Sequence, residues 1–575
     1  MQDKVAQVEK IKTMLPSMLV SATYDGVSKS AVLKFYEPTA QKLFLWKDEI
    51  GHKPYCYSKL DPDELDFLQE REDVLEIKTV KKHDLITDKE IQVSKITVDN
   101  PLTIGGNYGD SIKNQIETWE SDIKYYETYL QDRKLIVGKY YEIVDGLLKP
   151  HSMKISDEVK LALKSLLWDK VDSDGMVDAD EFKEFISEWA DLLNQPIPKI
   201  KRLSVDIEVE FDPGRFPDPK LAEKRITAIG LKGTDDYDQI FVLKTEGTEQ
   251  GHNELNENIK VTFYDLDKEK EMITDAFKII EGFPFVLTYN GDEFDLPYLY
   301  NRAERLGISN QDNPLYMMRD SATLKHGVHI DLYRTLSNRS FQIYAFSQAY
   351  TDFSLNSVSK ALLGKEKIDY GLEFDKLSLY QTANYCYNDA QLTYELTSFN
   401  SDLLMNLLVI IARIGRMPID DIARVGVSQW IRSLMYYEHR KRNALIPKRE
   451  ELQKRSEGVM SDAVIKDKKY RGGLVIEPKK GIHFKVVVMD FASLYPSIIK
   501  VRNLSYETVR CSHEECKKNT IPQTNHWTCS KKNGLTTLII GSLRDLRVNY
   551  YKSLSKKETL TDEQRQQYTV VSQAL

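Results

Sequence analysis

The sequence predicts a multidomain protein of mixed α/β and α+β class that opens on an antiparallel β domain. Two patterns and the length carry that expectation. Residues 17–60 alternate apolar and polar positions in four runs, "MLVSATYDG", "AVLKFYE", "KLFLWKDE" and "KPYCYSKL", separated by Asp-Gly and charged turns, which is the period of half-buried strands in one small sheet. From Arg202 to about Asn400, the apolar runs "RLSVDIEVE", "ITAIGLKG", "QIFVL" and "FVLTYN" are interleaved with helical periods, the mark of an α/β layer. With 575 residues, 41% of them hydrophobic, the chain has material for about three or four cores.

Taken in order, residues 1–146 form the β-rich domain, with a helix in residues 109–145 before the chain returns to the sheet. Residues 147–199 read as a satellite insertion of two helices around the acidic loop "KVDSDGMVDADE", closed by Pro196 and Pro198. Residues 200–400 are the α/β domain. Residues 401–533 open on a strongly helical stretch to 456 and continue through a buried strand at 484–489; residues 534–575 turn helical from about Ile540.

Composition narrows the function. The apolar run "LLMNLLVIIARIG" is interrupted by Asn406 and Arg413, and the N-terminus "MQDKVAQVEKIK" is too charged for a signal peptide, so a soluble intracellular protein with no membrane partner is expected. Five cysteines are too few and scattered for a disulfide scaffold, although three of them lie within nineteen residues. The net charge of −8 hides an asymmetry: residues 401–575 hold 31 Lys and Arg against 18 Asp and Glu, leaving −21 on residues 1–400. The basic clusters "HRKRNALIPKREELQKR" and "KDKKYRGG" are therefore a candidate polyanion surface.

The chemistry starts with carboxylates. Asp206 and Glu208 stand two apart in "LSVDIEVEFD", so both leave the same face of a strand and can share a metal. Asp295 follows a strand and turn in "VLTYNGDEFDLPYLYNRA", and Tyr385 and Asp389 are i and i+4 on one helical face in "ANYCYNDAQLTYEL". Four carboxylates and a phenol on an α/β sheet suit two divalent cations about 4 Å apart acting on a phosphodiester. Each piece alone is more often an exposed acidic pair or a solvated helix face. The set in this order resembles the three exonuclease motifs of the family-B DNA polymerases. The resemblance implies an RNase H-like 3′→5′ exonuclease domain over residues 200–400, with Asp206, Glu208, Asp295 and Asp389 as ligands of Mg²⁺ or Mn²⁺. It further implies that Tyr385 orients the water and that Asn290 and Phe294 contact the primer end.

A second constellation follows. The four apolar residues Val486 to Met489 read as a buried strand closed by Asp490, and "DFASLYPSII" resembles motif A of the same family. That implies a metal-binding Asp490, amides of Ser493 and Leu494 around the triphosphate, and Tyr495 beneath the ribose, leaving no space for a 2′-hydroxyl. "YRGG" resembles the family's YxGG segment, with Tyr470, Gly472 and Gly473 against DNA because paired glycines let backbone approach phosphates; a plain turn is the competing account. "GSLRDLRVNYYKSLSKK" resembles the first fingers helix, in which Arg547 is the triphosphate arginine and Lys552 the later lysine, one residue beyond the usual spacing. The runs "YDGVSKSAVLKFY", "HKPYCYSKL" and "ESDIKYYETYLQDRKLI" are similar to archaeal replicative members. Some of those detect template uracil in a pocket that here involves Tyr24, Pro54 and Tyr55, with ordinary core packing as the alternative.

The family's second fingers helix, with an Asn-Ser-x-Tyr-Gly pattern, and its Asp-Thr-Asp hairpin, which supplies the second metal-binding aspartate, do not occur in these residues. The expectation is a partial palm and fingers that cannot polymerise alone, beside an intact exonuclease, with the missing part beyond Leu575 or on a second subunit. DNA as primer–template and single-stranded 3′ end, deoxynucleoside triphosphates, a sliding clamp and a cytoplasmic, nucleoid-associated location accompany the resemblance. A non-catalytic DNA-binding or template-sensing subunit of a split polymerase is the alternative.

Two smaller patterns remain. Cys511, Cys516, His526 and Cys529 are spaced C-x4-C-x9-H-x2-C, close to a structural Zn²⁺ pattern, with surface thiols or a disulfide as the other readings. Asp172, Asp174, Gly175, Val177 and Glu181 resemble a calcium loop whose first ligand position is Lys170 instead of Asp, which favours a plain acidic connecting loop.

Overall fold

The computed structural model describes residues 12–575 apart from 107–108, 152–156, 211, 213, 215, 319–321, 372–375, 457–462, 466–467, 471–475, 492, 523 and 558–559; for 455–456, 463–465, 468–470 and 563 it describes backbone alone. The first eight strands are β1 (Thr13–Asp25), β2 (Ser30–Glu37), β3 (Lys42–Lys47), β4 (Tyr55–Ser58), β5 (Val74–Asp84), β6 (Lys89–Val98), β7 (Tyr140–Val144) and β8 (Leu147–Pro150). They form two antiparallel sheets, β3-β2-β1-β7-β8 and β4-β6-β5. The four alternating runs therefore divide between two sheets instead of sharing one. β4 leaves because the long β5–β6 hairpin offers it a partner edge, with Tyr55 opposite Thr97.

Residues 147–199 are not a satellite. β8 extends the first sheet, and the helix Ala179–Leu193 sends Phe182, Phe185, Ile186 and Trp189 into the core that also holds Leu19, Leu404 and Leu538. These four residues form an i, i+3, i+4, i+7 stripe, and a stripe does not by itself name its partner. The partner here includes the helix Leu535–Asp545, where a Cβ on Gly541 would lie 3.1 Å from the Phe182 ring.

The α/β domain is built on β9 (Arg202–Val209), β10 (Ile226–Gly233), β11 (Tyr237–Leu243), β12 (Lys260–Tyr264), β13 (Phe285–Thr288) and β16 (Val328–Asp331), with β14 (Leu315–Met317) and β15 (Ala322–Leu324) as a separate hairpin. The six-stranded order is β12-β11-β10-β9-β13-β16. β10 runs antiparallel to β9 and β11, while β12 is parallel to β11 and β13 is parallel to both β9 and β16. Alternation along β9 sends Leu203, Val205, Ile207 and Val209 into a core with Met272 and Phe277 of the helix Glu269–Glu281. The opposite face carries Ser204, Asp206 and Glu208.

That face is crossed by the helix Leu379–Gly415, which breaks at Phe399–Asp402, where four residues leave helical geometry. By length and composition it is the one helix among the described residues long and apolar enough to span a membrane. It is instead a core helix, with Leu404, Leu408 and Ile410 buried. The Arg413 that interrupts its apolar run donates to the carbonyls of Gly138 (2.9 Å), Gln195 (2.8 Å) and Pro196 (3.0 Å), tying three segments together.

Two further expectations are corrected. Residues 484–489 are not a buried strand: Val487 is 81% and Met489 90% exposed, and among the described residues no strand lies beside them. Apolar run and strand are separable, because a strand needs a neighbour for its amides. The basic cluster around Arg440 is not an open polyanion surface either. Arg440 is buried against Glu120 (2.6 Å) and Asp132 (2.9 Å), while Lys441 pairs with Glu188 and Lys448 with Glu117, so this charge meets the acidic N-terminal half of the same molecule. The "YRGG" segment falls outside the described residues, except for the backbone of Tyr470.

Candidate active site: a carboxylate cluster on the mixed sheet

Asp206 and Glu208 on β9 meet Asp389 from the crossing helix, and one oxygen of each lies within 4.8 Å of the others. The approach depends on Gly230, which pairs with Asp206 across β10 and β9. A Cβ there would stand 2.8 Å from the Cys386 carbonyl oxygen, one helical turn before Asp389. Asp295 opens the helix Asp295–Arg305 and accepts the Ile207 amide at 3.2 Å. The expected set of four thus separates into three convergent carboxylates and one tethered to the backbone of β9 between Asp206 and Glu208.

The turn before Asp295 is over-determined. Asn290 adopts a φ of 68° and donates its amide to Asp331 at 2.9 Å, and a Cβ on Gly291 would fall 2.2 Å from Thr288 Oγ1. Arg424 grips Asp292 through two hydrogen bonds of 2.9 Å, with His329 Nδ1 3.3 Å from the same carboxylate. Burial opposes the charge, yet His329 and Arg424 hold Asp292 well below the usual carboxylate range. Beside the turn, the Phe294 ring lies 5.3 Å from that of the exposed Phe216 and 5.5 Å from that of Tyr298.

Burial is the first cause of every shift at the cluster. It pushes Asp206 far above the usual range, with Asp389, Asp295 and Glu208 adding to the effect. Glu208 rises to about 8 through burial and Asp389, and Asp295 to about 7 through burial, against the Ile207 amide. Burial also raises Asp389, partly offset by Lys367. Lys367 forms an ion pair with Asp389 and sits 5.1 Å from the Tyr385 ring centroid. Although burial works against its charge, Asp389 raises its pKa. The sequence reading missed Lys367, a loop lysine with no periodic signal, and it missed Arg424 as a brace.

The residues fit a divalent cation. Asp206 Oδ2 and Asp389 Oδ1 are buried with no hydrogen-bond partner among the described residues, and buried carboxylate oxygens without donors call for positive charge.

Comparison with known proteins bears on the same segment. A family model described as DNA polymerase family B, exonuclease domain, matches residues 116–358, and one described as DNA polymerase family B matches residues 417–572. Over 97% of its length the chain is 38% identical to DNA polymerase 1 of Sulfolobus acidocaldarius and 37% identical to DNA polymerase 1 of Aeropyrum pernix. The chain belongs to the family B DNA polymerases, of the archaeal type. It spans 63% and 58% of those two relatives' own lengths. The family B DNA polymerase of Pyrobaculum calidifontis shares its fold, with a TM-score of 0.65 at 17% identity over 97% of this chain and 67% of that one.

The family's second constellation is laid open. Ser493 has a φ of 54° and caps the helix Leu494–Val501; Asp490 and Tyr495 are exposed, the latter 79%. In the fingers helix, Leu546–Tyr551 is a π-helical stretch in which residues five apart close one turn. Tyr551 is fully buried, so the outward residue one turn after Arg547 is Lys552.

The remaining expectations fare unevenly. The Cys511, Cys516 and Cys529 sulfurs gather with His513, not with His526, whose ring faces Arg510 at 3.1 Å. The spacing could not choose between the two histidines. At the acidic loop Asp174 binds Lys500, Asp172 binds Lys183 (2.5 Å) and Glu181 accepts from Asn533 (2.9 Å), so the carboxylates answer separate donors and do not converge. Tyr55 is buried with its phenol between Asp132 (2.8 Å) and Arg440 (2.6 Å), and Tyr24 packs edge-on to Tyr125 at 5.1 Å. Pro54 is buried, and its carbonyl accepts from Val98 at 2.9 Å.

Proposed function

We propose that the chain is the exonuclease-bearing part of a DNA-directed DNA polymerase, and that it removes nucleotides from the 3′ end of single-stranded DNA. The convergence of Asp206, Glu208 and Asp389, with two orphaned buried oxygens, inside the segment that matches the exonuclease model carries this reading. Asp206, Glu208 and Asp389, with Asp295, would hold two divalent cations, Mg²⁺ or Mn²⁺, which when bound would supply a reactive water near neutral pH and counter-charge at the leaving 3′-oxygen. Tyr385, one helical turn before Asp389, orients the water. Asp295 fixes the pitch of β9 through Ile207. Lys367 pairs with Asp389 in the buried site, partly offsetting the effect of burial, and offers its ammonium to a substrate phosphate. Phe294 and the exposed Phe216 give the terminal base a stacking surface beside Asn290.

The same reading gives Asp490, Ser493, Leu494, Tyr495, Arg547 and Lys552 to metal and deoxynucleoside triphosphate, and Tyr470, Gly472 and Gly473 to primer–template DNA. No Asp-Thr-Asp triplet occurs in the 575 residues, which span 63% and 58% of the two relatives' own lengths. The polymerase meets a sliding clamp at the nucleoid.

The test is a 5′-labelled single strand incubated with the purified chain and Mg²⁺. A ladder of products shortened from the 3′ end, abolished by EDTA and by Asp206→Ala, is expected. Degradation that persists in excess EDTA overturns the reading.

A further inference from the structure

We propose that Cys511, His513, Cys516 and Cys529 form a structural Zn²⁺ site that fastens the Cys/His insertion, residues 502–533 after the helix Leu494–Val501, to the N-terminal domain, a role separate from either nucleic-acid site. The four ligand atoms lie within 4.8 Å of one another, and Cys529 Sγ is 3.5 Å from His513 Nδ1. A tetrahedral zinc with three thiolates and one imidazole has ligand–ligand edges of about 3.6 to 3.8 Å, so the cluster already has nearly the required size. Three buried sulfurs with a single imidazole also favour a soft, tetrahedral ion.

The surroundings are built for charged ligands. The amides of Ser530 and Lys531 point at Cys516 Sγ and Cys529 Sγ, each at 3.4 Å, as donors to thiolates do. The Ser530 hydroxyl lies 3.4 Å from Cys516 Sγ. His513 Nε2 donates to Asp88 at 3.1 Å, which leaves the Nδ1 lone pair facing the sulfurs; a carboxylate behind a ligating histidine is the usual outer partner. Asp88 lies in the turn between β5 and β6, where it also takes Lys532 (2.6 Å) and His83 (3.0 Å). Zinc at the cluster would thus be continuous with a contact between the insertion and the N-terminal hairpin.

Packing gives a second, independent argument. The hydrophobic cluster of the insertion consists of Cys511, Cys516 and Cys529 with Trp527 against them. A core that small does not hold a fold of this length without a staple. A disulfide would join two sulfurs and leave the third, with His513, unexplained.

The experiment uses the whole chain purified under reducing conditions with zinc supplied, dialysed against EDTA, and assayed by elemental analysis. One equivalent of zinc is expected, and the Co²⁺-loaded chain should show the intense visible bands of a tetrahedral thiolate site. His513→Ala and Cys516→Ser should lose the metal, while His526→Ala keeps it. Asp88→Asn should weaken affinity by about 10- to 100-fold in competition with a chelator. Absence of metal from the wild-type chain, iron in place of zinc, or loss on His526→Ala equal to that on His513→Ala would overturn the proposal. The Co²⁺ spectrum of the unmutated chain keeps the test independent of whether any variant folds.

Discussion

Asp206 and Tyr385 stand on opposite sides of one functional division. Asp206 is one of three converging carboxylates and keeps an oxygen with no hydrogen-bond partner among the described residues, whereas Tyr385, in the proposed reading, orients the water. Tyr385→Phe should therefore slow 3′ removal by roughly 10²- to 10⁴-fold, the range of a positioned acid–base group, and Asp206→Ala should slow it more. Single-turnover rates on one oligonucleotide check the order; equal loss in both would contradict it. Glu208 gives a pH signature. Its folded pKa of about 8 lies above the ordinary 4.5, so the metal-free folded state holds a proton that the unfolded chain releases, and stability falls as pH rises between those values. Urea unfolding in EDTA should show that fall in the wild-type chain relative to Glu208→Gln. Added Mn²⁺ should reverse it.

At the scale of elements, the site depends on how closely one helix can lie on one sheet. Gly230→Val would press side-chain carbons into the Cys386 carbonyl and lift the turn that bears Asp389, at a cost of about 1–3 kcal/mol and with loss of exonuclease activity beyond the loss of stability. Thermal unfolding and nuclease rates on the same preparation separate the two effects. The elements around this contact were legible in unequal measure. β9, β10, β11 and β13 could be read because each has strong period-2 or continuous apolar character, and Asp206, Glu208, Asp295 and Asp389 because their order matches a family pattern. β12 and β16 are short edge strands with little apolar contrast, and the sequence gives them no distinct period. Lys367 reaches Asp389 from a loop, and His513 reaches Cys529 by a fold of the insertion. Neither proximity has a counterpart in local spacing. The run at 484–489 shows the converse: its apolar pattern is plain, but among the described residues no strand pairs with it and it is exposed.

For the whole molecule, the charge asymmetry first read as a DNA surface acts partly as internal glue. Arg440 bridges the helix Val427–Lys441 to Glu120 and Asp132 of the N-terminal domain, so Arg440→Ala should leave the buried Glu120 side chain without its counter-charge, while Asp132 keeps His52 and Tyr55, and destabilise the chain by about 3–5 kcal/mol, measurable by denaturant unfolding. Its effect on DNA affinity should be small by comparison. The exposed apolar run before Asp490 makes the complementary statement about polymerisation. Under the polymerase reading proposed above, that run leads into Asp490, and Asp490→Ala should abolish metal-dependent deoxynucleotide incorporation by the polymerase. The exonuclease account rests on the carboxylate cluster being a metal centre, and Mn²⁺ crystals examined by anomalous diffraction test that claim most directly. The account requires two peaks about 4 Å apart between β9 and the crossing helix, with Asp206 touching both and Asp389 turned from Lys367 toward one of them. A cluster that stays empty in Mn²⁺, with Lys367 still closed on Asp389, would contradict it.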